Sequence, residues 1–227
     1  MVNKKDFILK HERILSKIYR LLGRNKIHAA KNNELKINNA FLKRCCISIC
    51  GHGNTLEIEK GLTRLTSCSI TVFGSNCHIR IGSMSNLNHC NLYIEEDGGS
   101  IIIGNHVTTT GQIDIAVIEG TRVNIGNDCL FATDISIRTG DSHSIIDAST
   151  NCRINPSQDV NIGNHVWIGH GVKILKGVSV LDNSIIATGA ICTNKQFPEN
   201  CILGGIPAKI IKTGITWKAQ RISMTTL

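Results

Sequence analysis

Aromatic side chains are scarce in this 227-residue chain: 5 Phe, 2 Trp and 2 Tyr. A core assembled on large rings is thereby excluded, so another device must bury surface. Proline is rarer still, at 3, while 41% of residues are hydrophobic and 19% charged. That balance excludes a disordered or collagen-like chain. Ten cysteines are present, but no CxxC pair is among them. Scattered through apolar stretches, they read as small buried hydrophobes in a reducing compartment. The N-terminal MVNKKDFILKHERILSKIYRLLGRNK lacks an apolar run free of charge. It therefore reads as neither a signal peptide nor a membrane span, and a cytoplasmic setting is expected.

What is present is an uneven charge. The formal net charge is +8. Residues 1–44 hold 12 basic and 3 acidic side chains, and residues 45–227 hold 13 and 14. The basicity belongs to an N-terminal arm on a nearly neutral body. Within the arm the spacing predicts a helix from Asp6 to Leu22. Ile8, Leu15, Ile18 and Leu22 share a face with His11 between them, and Gly23 is the stop. This stripe should pack on the body or a partner chain. A basic helix at an anionic membrane face or on a polyanion is the other reading. Nucleic acid is not expected, because no binding signature accompanies the charge.

From residue 160 the chain divides into sixes: VNIGNH, VWIGHG, VKILKG, VSVLDN, SIIATG, AICTNK. The third position is Ile162, Ile168, Ile174, Val180, Ile186 and Cys192, usually backed by a small residue. Weaker units recur at 79, 101, 123, 129 and 135. A branched residue at every sixth place suits short strands joined by tight corners. Three strands close a coil of about eighteen residues, and stacked coils pile their aliphatics into columns. The expected fold is an all-β parallel β-helix spanning 45–205, with a helical arm at 1–44 and a tail at 206–227. Residues 138–159, RTGDSHSIIDASTNCRINPSQD, break the pattern and predict an extruded loop, where function concentrates.

The D-S-H run at 141–143, the segment RINPSQDVNIGNHVWIGHGVKILKGV and the tail GGIPAKIIKTGITW resemble the left-handed β-helix, or hexapeptide-repeat, acyltransferases. They are similar to the bacterial capsule and polysialic acid O-acetyltransferases. The resemblance covers about residues 120–217. It implies a left-handed coil, homotrimers with active sites in the clefts between neighbouring coils, acetyl-CoA as donor, no metal, and a glycan hydroxyl as acceptor. It also implies a loop histidine as general base, which His143 matches, with Asp141 or Asp147 orienting it. Trp167, in the second position of its hexad, should line the cleft and exclude water. Oxyanion donors would lie near it and the adjacent coil backbone. The resemblance further places Gly169, Thr188 and Thr193 along the donor and Lys195, Lys209 and Lys212 at its phosphates. TNKQFP stands where TKxxP is usual, which loosens the assignment of Lys195.

Two other classes are compatible with the fold. His165 and His170 have the H-x4-H spacing of γ-class carbonic anhydrases, whose imidazoles bind zinc between subunits. A non-enzymatic scaffold would need neither the His-bearing loop nor the GGIPAK tail. Among transferases, an amino sugar nucleotide, serine or a xenobiotic is the alternative acceptor.

Overall fold

The computed structural model describes residues 4–223. Strands repeat in strict rotation among three sheets, so the chain winds into a three-sided solenoid. Sheet A and sheet B have eight strands each, and sheet C has nine. Every pairing between successive coils is parallel. The exception is the last strand, Lys209–Thr213, which lies antiparallel against Cys201–Gly204 and extends sheet C.

The core consists of columns. In sheet B, Ile37, Ile58, Ile81, Ile103, Ile125, Ile162, Val180 and Phe197 stack in one register. All but the half-buried Ile37 are at most 3% exposed. Branched aliphatics fill each layer, which explains a core with so few rings. Truncating one such Ile to Ala would cost about 2–5 kcal/mol. The weak repeats at 79, 101 and 123 and the first regular hexad at 160 prove to be neighbours in this one column. Asn105, Asn127 and Asn164 form a second ladder, their Oδ1 atoms accepting backbone N–H groups of the preceding coil.

Coil length differs from the expectation upstream. The sheet B column advances by 21, 23, 22 and 22 residues between Ile37 and Ile125, and by 18 from Ile162 to Val180. Only the later coils are hexads. Strands also begin at Lys26, so residues 26–44 form the first coil rather than part of an arm.

The predicted helix is two: α1 (Lys4–Lys10) and α2 (Glu12–Leu22), broken at His11. Gly23 closes α2 by donating its N–H to the Arg20 carbonyl. The buried side of α2 is not the apolar stripe. Glu12 and Ser16 are buried, whereas Ile18 is 50% and Leu22 74% exposed. Glu12 Oε1 accepts the backbone N–H of Gly61 (2.7 Å) and Leu62 (2.6 Å), which sets the helix's rotation. No helix among the described residues is long and apolar enough to cross a membrane.

Candidate active site

The loop leaves sheet A after Arg138 and returns to sheet B at Val160. It therefore stands on the edge between those two sheets. Gly140 marks its exit: a Cβ there would meet Ser157 Oγ at 2.2 Å and Ile118 Cδ1 at 2.4 Å. An isolated antiparallel bridge, Ile146 to Arg153, makes the loop a short hairpin.

Asn155, 6% exposed, organises its base. Its Nδ2 donates to Asp141 Oδ2 (2.9 Å) and to the His143 carbonyl (2.8 Å). Its Oδ1 accepts the Ile145 N–H at 2.7 Å. Lys176 Nζ, from the next coil on the same edge, donates to Asp141 Oδ2 at 2.5 Å and to the Asn155 carbonyl at 3.2 Å. The Lys176 ammonium, then Asn155, hold the Asp141 carboxyl below its ordinary value. Asp147 accepts from the Ser149 hydroxyl and from the Ser149 and Thr150 N–H groups, which bring its carboxyl down to about 2. Arg153 pairs with Glu119 at 2.5 Å and, with Ser157, lowers that carboxyl to about 2.

Neither candidate carboxylate contacts the His143 imidazole. Asp141 is spent on Lys176 and Asn155, and Asp147 on the hairpin tip. The exposed His143 ring makes no side-chain hydrogen bond among the described residues. Asn155, which bonds both Asp141 and the His143 carbonyl, positions the backbone that carries His143. Sequence reasoning missed Asn155 and Lys176; the Asn-Pro pair inside the loop was the available signal for a fixed turn.

Trp167 lies on sheet C, the face opposite the loop's edge, with its ring 40% exposed. Trp217 of the tail packs 6.0 Å from it, centroid to centroid. Trp217 also stacks flat on His165 at 4.3 Å and donates its indole N–H to the His165 carbonyl at 2.8 Å. One register row runs over the outside of sheet C: Trp167, Ile185, Ile202, Lys212. Lys209 pairs with Gly204 on the same edge strand. The row thus sets two half-buried isoleucines between Trp167 and Lys212 of the tail strand. Gly169 and Thr188 sit at the corner between sheets C and A. A Cβ on Gly169 would lie 2.7 Å from the Thr188 nitrogen, so the coils touch there. Thr193 and Lys195 fall on the loop's own edge, where Lys195 Nζ lies 5.7 Å from the Phe197 ring. One chain thus gathers Trp167 with Lys209 and Lys212, and His143 with Thr193 and Lys195, on different sides of the solenoid.

Within one chain, His165 of the zinc reading is engaged elsewhere. His165 Nδ1 contacts Asn183 Oδ1 at 3.0 Å and its ring is covered by Trp217. No group of three His, Cys, Asp or Glu side chains converges among the described residues.

A coil of this construction, with an extruded His-bearing loop, defines a left-handed β-helix acyltransferase. No protein-family model matches the chain. It is 32% identical over 194 residues to a polysialic acid O-acetyltransferase of Neisseria meningitidis, spanning 82% of this chain and 86% of that protein. A polysialic acid O-acetyltransferase of Escherichia coli is 37% identical over 130 residues, 56% of this chain but 42% of that protein's length. The crystal structure of the polySia-specific acetyltransferase NeuO superposes with a TM-score of 0.77 at 31% identity, covering 88% and 90% of the two chains. The chain belongs to the polysialic acid O-acetyltransferases.

Proposed function

We propose that this protein transfers acetyl from acetyl-CoA to hydroxyl groups of a sialic-acid-containing capsular polysaccharide. Similarity to the meningococcal enzyme over 82% of the chain carries the choice of reaction and acceptor. The thioester supplies the activated acetyl group. Ile185 and Ile202 hold its apolar arm, and Lys209 and Lys212 meet the phosphates as point charges. Gly169 and Thr188 line the corner beside it.

His143 acts as general base, accepting the proton of the sugar hydroxyl as that oxygen bonds to the acetyl carbonyl carbon. The same proton is returned to the departing sulfur, so the CoA thiol and the acetyl ester are the products. Trp167, beside the reacting carbonyl, keeps water from competing. Main-chain N–H groups of the coil near Trp167 receive the charge that develops on oxygen.

The separation of the loop from sheet C supports a homotrimer. His143 of one copy meets Trp167 of its neighbour when three solenoids pack side by side, a heterologous contact that closes after three. Donor and nascent polymer meet in the cytoplasm, at the inner face of the membrane. The test is incubation with radiolabelled acetyl-CoA and a panel of sialic acid polymer, neutral polysaccharide and amino sugar nucleotide. Label entering the sialic acid polymer alone, as base-labile ester, is expected. Label entering the amino sugar instead, as stable amide, contradicts the reading.

A further inference from the structure

The register row that holds Trp167 continues in the other direction. Before Trp167 come Leu130, Thr108, Asn86, Arg64 and Phe41, each paired with the next across the outer face of sheet C. Strands stand about 4.8 Å apart, so Trp167 to Arg64 is about 19 Å. Two adjoining depressions of about 260 and 400 Å³ follow this line and share His106 between them. The indole of Trp217 lines one end, and the guanidinium of Arg64 lines the other.

The charges along this track are unequal. Arg64 stacks over the Phe41 ring, 5.7 Å from its centroid, and has no ion-pair partner among the described residues. Lys43, one coil earlier on the same sheet, likewise has none. The acid on the track, Asp128, is met by His106 at 3.1 Å. The larger groove on sheet A, of about 760 Å³, differs. Its Arg138 is paired with Asp114 (2.5 Å) and its Lys173 with Asp134 (3.2 Å), so it presents no free cation.

With Ile185, Ile202 and Lys212 assigned to the donor on one side of Trp167, the acceptor has the other side. We propose that an acidic polysaccharide runs along sheet C from Trp217 to Arg64, with Arg64 and Lys43 binding carboxylates several sugars away from the one acetylated. This rests on the proposed acetyl transfer and deepens it: the enzyme selects polymer over monomer. Asn86 and Thr108 offer hydrogen bonds to hydroxyls between. A one- or two-sugar acceptor at Trp167 does not reach Arg64.

The test compares a long sialic acid polymer with a sialic acid disaccharide as acceptors for Arg64→Gln and Asn86→Glu. The Asn86 side chain is exposed and its substitution keeps the strand's backbone pairing. The KM for polymer should rise about fivefold, the upper end of what an exposed charge contact supplies. The KM for disaccharide and for acetyl-CoA should stay within twofold of the parent values. Equal KM changes for polymer and disaccharide, or no change for either, overturn the track. Wild-type protein that acetylates neither acceptor overturns the underlying transfer reading, and the track with it.

Discussion

His143 contributes nothing to folding that its removal would disturb, because its ring is exposed and bonded to no side chain among the described residues. Its backbone carbonyl, held by Asn155, survives substitution. His143→Ala should therefore lower turnover by about 10²–10⁴-fold, the range of a lost general base, with an unchanged melting temperature. Steady-state kinetics beside a thermal melt checks this; near-parental turnover removes His143 from the mechanism. Asn155 is the opposite case. Asn155→Ala would strip donors from Asp141 and the His143 carbonyl and remove the acceptor of the Ile145 N–H, so the loop, and activity with it, should be lost while the solenoid remains.

The loop is also the element most exposed to acid. Glu119, Asp141 and Asp147 each have a folded-state carboxyl held below its ordinary value, Glu119 from 4.5 to about 2. A depressed carboxyl stabilises the folded form fully above its ordinary value and loses that contribution as pH falls through the folded one. The hairpin should accordingly open between about pH 4.5 and about pH 2, while the uncharged coil columns persist. Hydrogen exchange at residues 145–154, set against the sheet B strands, checks it. Uniform protection across that range contradicts it. This loop was legible in the sequence as a break at 138–159, because the hexads on both sides made the interruption visible. The later coils were legible for the same reason. The earlier ones were not: corners of varying length carry Ile37, Ile58, Ile81, Ile103 and Ile125 at steps of 21 to 23, and a search at six loses that column. The rotation of α2 was hidden too, since a buried Glu12 capping Gly61 and Leu62 overrode the apolar stripe.

Across the whole molecule, the structure divides the +9 of residues 1–44 between two helices that close one end of the solenoid and a first coil whose Lys43 joins the sheet C face. Deleting residues 1–26 would remove the end cap along with its charge, so substitutions at Arg64 and Asn86 probe polymer binding more cleanly. The same scale holds the central claim. His143 and Trp167 occupy opposite sides of one chain, so in the proposed trimer each cleft takes one residue from each of two copies. Trp167 and His143 were both singled out from the sequence, but their separation was not, because spacing along a coil does not say which side of a prism a loop leaves from. The direct measurement is to mix His143→Ala and Trp167→Ala subunits by co-refolding at equal amounts and assay acetyl transfer. With subunits distributed at random in closed trimers, about a quarter of the clefts receive both intact residues, and activity should return to about a quarter of the parental value. Activity no greater than that of the two variants assayed separately would place both residues in one subunit's site and contradict the shared cleft.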